Sequence, residues 1–265
     1  MKIKEIKFDI IIQAGQSNAE GLGLGEVENG YEPNDKIFYL TAEKSVEYKP
    51  EGVIVKFAHK PFNIEIAEER KSGNIAISDF SLFFARKYIE SELLKSERKV
   101  LIIRAGVGGT GFKKGNWGIN DLLYKKMIEM TDYARSLNKN NRVVAFLWHQ
   151  GEHDAFESNE PNTFEKQLFT MISSVRERYG NIPFIAGDFV REWKQKNIEI
   201  CEPIIQKIKK VINDIGNAAF IDTSDLLSNN EKNGNGDDIH FCRESLLKLG
   251  ERYCENYIQL IKESR

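Results

Sequence analysis

Residues Ile11 to Gly25 read IIQAGQSNAEGLGLG. The stretch begins as an apolar strand, passes through Gln16-Ser17-Asn18 and ends in glycines, the pattern of a strand that stops at a turn into a helix. In an open parallel sheet, ligands bind outside the carboxyl ends of the strands, where this turn would lie. A serine there becomes reactive only if a base and oxyanion donors arrive from other parts of the chain. The other strand ends therefore decide what Ser17 means.

Working outward, short apolar runs alternate with longer stretches of helical period, the signature of an α/β fold with helices on both faces of the sheet. FDIIIQAG (Phe8 to Gly15), VLIIRAG (Val100 to Gly106), VVAFLWHQG (Val143 to Gly151) and PFIAGDFV (Pro183 to Val190) are each nearly continuously apolar, as doubly covered strands should be. AAFIDTS (Ala218 to Ser224) makes a fifth strand. Between them, helical spacing predicts helices over 77–96, 120–137, 163–180, 201–216 and 243–263, the first capped by Ser78 or Asp79. Residues 24–76 are less regular, with KIFYL and GVIVKF as a further strand or a hairpin. There is no internal repeat. At 265 residues the chain is read as one domain, 1–265.

A net charge of −2 with both signs interspersed gives no basic excess for nucleic acid. The longest apolar runs, such as Val143 to Trp148, fall far short of a bilayer span, so no membrane segment is expected. Three cysteines, Cys201, Cys242 and Cys254, with no CxxC pair, argue for packed thiols and against a disulfide framework or structural zinc. Lys7, Asp9 and Gln13 interrupt the apolar run of the N-terminus and no small-residue cleavage site follows, so a cytoplasmic location is the default. A secreted or periplasmic chain already trimmed of its leader would look the same. Oligomeric state is not legible.

Polar and glycine-rich residues gather where the topology places a site: GQSN after the first strand, GVGGTGF after the second, WHQGEHD after the third and GDDIHF before the last helix. Ser17 needs a base, and His240 is the candidate. A carboxylate on the other imidazole nitrogen would orient it. Asp237, three residues earlier, can fold back to the ring, and is preferred over Asp238. Oxyanion donors could be the Ser17 N–H, a glycine N–H of GVGGTGF, and the Gln150 amide.

GQSN, GGTGFKKGNW, WHQGEHD and DDIHF resemble, in order and approximate spacing, the four blocks of the SGNH (GDSL-like) hydrolases, in the variants of the sialate O-acetylesterase branch, akin to carbohydrate esterase family six. The likeness runs from about Ile10 to about Gly250. It implies a three-layer α/β/α, flavodoxin-like fold with a central, mainly parallel five-stranded sheet. It also implies removal of acetyl groups from sugar hydroxyls without a cofactor or metal. Ser17 falls on the nucleophile, His240 on the base, Asp237 on the acid, and Gly109 or its neighbour Gly108 on the oxyanion glycine. Gln150 replaces the asparagine of the wider superfamily, and Glu152 matches the branch's QGE acid, read here as an organiser of the loop. The sequence departs from many superfamily members in having Phe241-Cys242, without a proline, after the histidine.

O-acetylated sialic acid is the first substrate expected, with acetylated xylan or another acetylated sugar as the alternative. Gln16, Asn18, Gly108, Glu152, Trp117 and Arg104 are the residues expected to support the site or touch substrate. Trp117, on a glycine-flanked loop, is placed at the rim, and Trp148 in the core. Arg104 could meet a sugar carboxylate or pair locally. Two rival readings remain. HQGEH (His149 to His153) spells the HxxEH zinc signature, but that motif needs a helix, and Gly151 and the preceding strand oppose one. A non-catalytic sugar-binding module would not need Ser17, Asp237 and His240 together.

Overall fold

The computed structural model describes residues 2–26 and 31–263. In chain order the first elements are β1 (Lys7–Gly15), α1 (Ser17–Glu20), β2 (Gly23–Glu26), β3 (Ile37–Thr41), β4 (Lys44–Lys49), β5 (Gly52–Phe57), β6 (Asn63–Ile66), β7 (Arg70–Ser72), β8 (Ile75–Ser78) and α2 (Phe80–Glu90). There follow β9 (Arg98–Arg104), α3 (Leu122–Ser136), β10 (Arg142–His149), α4 (Glu152–Phe156), α5 (Pro161–Tyr179) and β11 (Phe184–Gly187). The chain continues through α6 (Arg191–Lys196), α7 (Ile198–Ile215), β12 (Ala218–Ile221), α8 (Asn229–Asn233) and α9 (Arg243–Glu263). Among the described residues no helix is long and apolar enough to cross a membrane.

The central sheet runs β12-β11-β10-β1-β9-β3-β6, parallel throughout except for the antiparallel edge pair β3–β6. All five expected strands are present, and the sheet holds seven because the irregular stretch supplies β3, the KIFYL run, and β6. GVIVKF forms β5 of the β4–β5 hairpin outside this sheet. The first predicted helix starts at Phe80, after Asp79, the second of its two candidate caps, and Ile77 and Ser78 belong to a strand instead. Ile75–Ser78 pairs with β2 and β7 as a strand, and Asp79 then caps α2 by accepting from the Ser81 and Leu82 N–H groups at 2.9 and 3.1 Å.

β1 lies at the centre, and residues Phe8 to Gly15 are all buried. On one face α2 and α9 pack together, with Phe84 edge-on to Tyr257. On the other, α3 meets α5 through the Tyr124–Ser174 hydrogen bond, and α5 meets α7 through Lys207 and Glu165. The three cysteines are free and buried, and burial pushes the thiols of Cys201 and Cys254 up to about 12, where they are inert.

At the amino edge of the sheet, fully buried Asp9 accepts from Arg98 Nε (2.6 Å), Arg142 Nε (2.6 Å) and Tyr88 Oη (2.8 Å). Burial pushes this carboxyl up most strongly, but the hydrogen bonds of Arg142 and Tyr88 and the two guanidinium charges together hold its pKa below the ordinary value of 3.8. Because the folded pKa is the lower one, the stability gained is present above 3.8 and is lost as pH falls through the folded value. Asp9→Asn should therefore lower unfolding stability at pH 7 by about 3 kcal/mol, since it leaves two arginines without their anion. Urea titrations of both proteins at pH 7 and near pH 3 check this. The gap should narrow in acid, and a gap that is absent at pH 7 contradicts the assignment.

Candidate active site

The turn after β1 is shaped by Gly15. Its φ is +130°, and a Cβ there would sit 2.1 Å from the His149 carbonyl oxygen, so only glycine brings the end of β1 this close to β10. The Gln16 N–H donates to that same carbonyl at 3.0 Å, and α1 starts at Ser17. Ser17 is thereby fixed at the carboxyl edge of the central strand. Its own N–H opens the helix and has no acceptor among the described residues, as expected at a helix start.

Ser17 and His240 line one cleft of about 440 Å³. Its walls include Gln16, Gly108, Gly109, Glu152 and His153, with Leu22, Tyr48, Phe156, Trp193 and Ile239 giving it an apolar character. The Ser17 hydroxyl and the His240 ring share this wall without a direct hydrogen bond, a common state of such pairs before substrate binds.

The His240 ring is tied down by Asp237, whose carboxylate oxygens lie 2.8 and 3.0 Å from Nδ1, while the His240 N–H donates to Oδ1 at 3.3 Å. With Nδ1–H donating to the carboxylate, Nε2 is the nitrogen left to accept a proton. Asp238 turns away to Lys196 Nζ at 2.8 Å. Burial raises the Asp237 pKa most, but the hydrogen bonds of His240 and Asn229 and the His240 charge outweigh it, so the net shift is downward and the group stays ionised. The polar stretch 228–236 is what holds this acid. Ser228 and Glu231 form a capping box, α8 follows, and buried Asn229 donates to Asp237 Oδ2 (2.8 Å) and the Leu22 carbonyl (3.0 Å) while accepting from the Leu24 N–H (3.0 Å). Sequence reasoning passed over Asn229. The S-x-x-E box was the signal that this segment is built.

Asn18 joins three of the four blocks. Its Nδ2 donates to Glu152 Oε1 (2.9 Å) and the Ile239 carbonyl (3.0 Å), and its Oδ1 accepts from the Phe241 N–H (3.2 Å). Glu152 is buried, its Oε2 has no partner, and burial pushes its pKa up. Gln16 Oε1 accepts from the His153 N–H at 3.0 Å, which clips the first block to the third.

Of the two glycines, Gly108 spends its N–H on Glu20 Oε2 (2.8 Å), whereas the Gly109 N–H has no partner among the described residues. Gly109 has φ +67°, and a Cβ there would lie 3.0 Å from Val53.

Two expected placements are corrected, and of the two alternatives for Arg104 it is the local pairing that is found. Gln150 does not reach the cleft. Its Nε2 donates to Asp154 (2.6 Å) and the Thr110 carbonyl (3.4 Å), so the amide ties the second and third blocks together. Asp154, a residue the sequence reading missed, also accepts from the Phe112 and Lys113 N–H groups and from Asn159. Trp117 is not at the rim but wholly buried, edge-on to the core residue Trp148, because Thr110 Oγ1 satisfies its indole N–H inside (3.0 Å). Arg104 lies outside the cleft. It stacks on Tyr39, pairs with Asp79 at 3.4 Å and donates to the Glu20 carbonyl, which anchors the end of α1.

HQGEH is split by the fold: His149 ends β10, Gly151 has φ +147°, and His153 lies in α4, so the two histidines share no helix face. His149 is buried against Tyr253 Oη (3.2 Å), and burial pushes its pKa down to about 3. His153 lines the cleft, but no carboxylate holds its ring.

A family model described as carbohydrate esterase, sialic acid-specific acetylesterase matches residues 7–259. Among solved structures, NanS superposes with a TM-score of 0.77 at 18% identity, covering 97% of this chain and 98% of that one. An Arabidopsis thaliana protein gives 0.63 at 18% identity, covering 95% and 98%. A Parabacteroides merdae protein described as a GDSL-like lipase gives 0.50 at 12% identity, covering 99% of each chain. Likeness at these identities establishes the fold alone, a central, mostly parallel sheet between two layers of helices. A curated Arabidopsis thaliana protein, named as a probable carbohydrate esterase, is 23% identical over 181 residues, 63% of this chain; the match spans 62% of that protein's length. With the family model covering nearly the whole chain, the protein belongs to the carbohydrate esterases of the sialic acid-specific acetylesterase family.

Proposed function

We propose that the protein is a cofactor-independent serine esterase that removes O-acetyl groups from carbohydrate. The observation that carries this reading is one cleft lined by Ser17 and His240, with Asp237 holding His240 Nδ1 at 2.8 Å. His240 Nε2 takes the Ser17 proton as Oγ attacks the acetyl carbonyl. The N–H groups of Ser17 and Gly109 receive the oxyanion. His240 then returns the proton to the departing sugar oxygen. Water, deprotonated by the same nitrogen, cleaves the acyl-enzyme to release acetate.

The family description points to O-acetylated sialic acid as the sugar. One observation favours the second reading, an uncharged acetylated sugar: among the described residues no lysine or arginine lines the cleft.

Acetate release from O-acetylated sialic acid and from acetylated xylan tests the reading. Ser17→Ala and His240→Ala should each lower kcat by about 10³-fold or more. Asp237→Asn should cost about 10²- to 10⁴-fold, against no more than about threefold for Asp238→Asn, which loses only a pair with a half-exposed lysine. Release that survives Ser17→Ala but is abolished by a chelator contradicts the serine mechanism.

The pH profile gives a separate check. The rate should fall on acidification as the histidine base takes a proton, while Asp237 stays ionised. His149, neutral to about pH 3 when folded but not when unfolded, lowers folding stability as pH drops below its ordinary value of 6.5. Circular dichroism at each pH therefore separates titration from unfolding. A rate that does not fall on acidification while the protein remains folded contradicts a histidine base.

A further inference from the structure

Tyr48 and Phe156 are 66% and 70% exposed, the two most exposed large apolar side chains among the described residues, and both line the cleft that holds Ser17 and His240. Two water-facing aromatic rings at the mouth of one cleft mark a contact surface, since scattered exposed residues would not converge there. They come from separate elements. Tyr48 reaches over from the β4–β5 hairpin, and Phe156 ends α4.

Tyr48 lies against the glycines of the second block. A Cβ on Gly108 would sit 3.0 Å from its hydroxyl, and one on Gly109 would sit 3.3 Å from its ring. The bare backbone there is what lets the ring lie over the loop. Leu22, Trp193 and Ile239 continue the apolar wall.

The charges around the cleft matter as much. Glu152 is the acid on its wall. Lys44 is paired with Glu20 (3.1 Å), Lys114 with Glu157 (2.9 Å) and Lys196 with Asp238 (2.8 Å). A ligand carboxylate buried here would meet no lysine or arginine among the described lining residues. A pyranose ring with no charge presents apolar C–H faces that fit between two aromatic rings.

We infer that Tyr48 and Phe156 form an aromatic clamp that selects an uncharged acetylated pyranose, gripping the sugar by its ring faces while its ester points to Ser17. The inference rests on the esterase reading of Ser17 and adds the sugar class and the residues that choose it.

The experiment compares an acetylated methyl xylopyranoside, O-acetylated sialic acid and ethyl acetate, which has no ring, on the intact protein and on Ser17→Ala, Tyr48→Ala, Tyr48→Phe and Phe156→Ala. Each alanine variant should raise KM for the xylopyranoside about tenfold with a smaller change in kcat. The ratio of kcat/KM for xylopyranoside to that for ethyl acetate should fall by a similar factor. Tyr48→Phe should restore the ratio, because the ring is kept. Phe156→Ala guards against an effect that merely loosens the glycine loop, which Tyr48 touches. A ratio that stays at the intact value in both alanine variants overturns the clamp, and faster turnover of O-acetylated sialic acid than of the xylopyranoside overturns the choice of an uncharged sugar. Absence of Ser17-dependent hydrolysis of any of the three esters overturns the esterase reading itself.

Discussion

The three hydrogen bonds of the Asn18 side chain hold the site together. One amide donates to Glu152 and to the Ile239 carbonyl and accepts from the Phe241 N–H, so the turn after the central strand, the loop after β10 and the segment before α9 share one rigid junction. Asn18, Glu152 and Phe241 are buried, and their polar groups would be costly to leave unpaired. Such a junction fixes where the loops sit without any of them being held by regular structure. Ser17 and His240, 223 positions apart in the chain, reach one cleft because their chain neighbours meet at Asn18.

Around that junction the remaining polar groups divide by what they touch. Asp237 is kept charged by a histidine and an asparagine, and Asp154 gathers four donors beneath the glycine loop. Glu20 draws in both Lys44 and the Gly108 N–H, which leaves the neighbouring Gly109 N–H unengaged at the cleft. The cleft itself is mostly apolar, so a bound ester would shed water and strengthen any hydrogen bond to its oxyanion.

The strands covered on both faces were legible because burial forces unbroken apolar runs, and β1, β9, β10 and β11 all read that way, while the half-buried edge strand β12 reads as a shorter apolar run. β6 was not, since NIEI alternates and stays largely exposed at a sheet edge. At the start of α2 the apolar Ile75–Ser78 runs on into the helix, and it is Asp79, one of the two candidate caps, that separates strand from helix. In the site, Asp237 could be preferred over Asp238 from spacing alone. Gln150 and Trp117 could not be placed, because their direction depends on partners from other loops, Asp154 and Thr110. Asn229 and Tyr48 escaped for the same reason: one sits in a polar stretch that resembles a loop, and the other in a hairpin remote in sequence from every block.

The most direct test of the central assignment, Ser17 as a nucleophile activated by His240, is covalent. The intact protein, His240→Ala and Ser17→Ala would be treated with a fluorophosphonate, weighed by mass spectrometry and mapped by peptide. A single adduct on Ser17 in the intact protein, strongly slowed in His240→Ala and missing in Ser17→Ala, is the expected result. An adduct on another residue, or labelling of Ser17 at the same rate without His240, would contradict it.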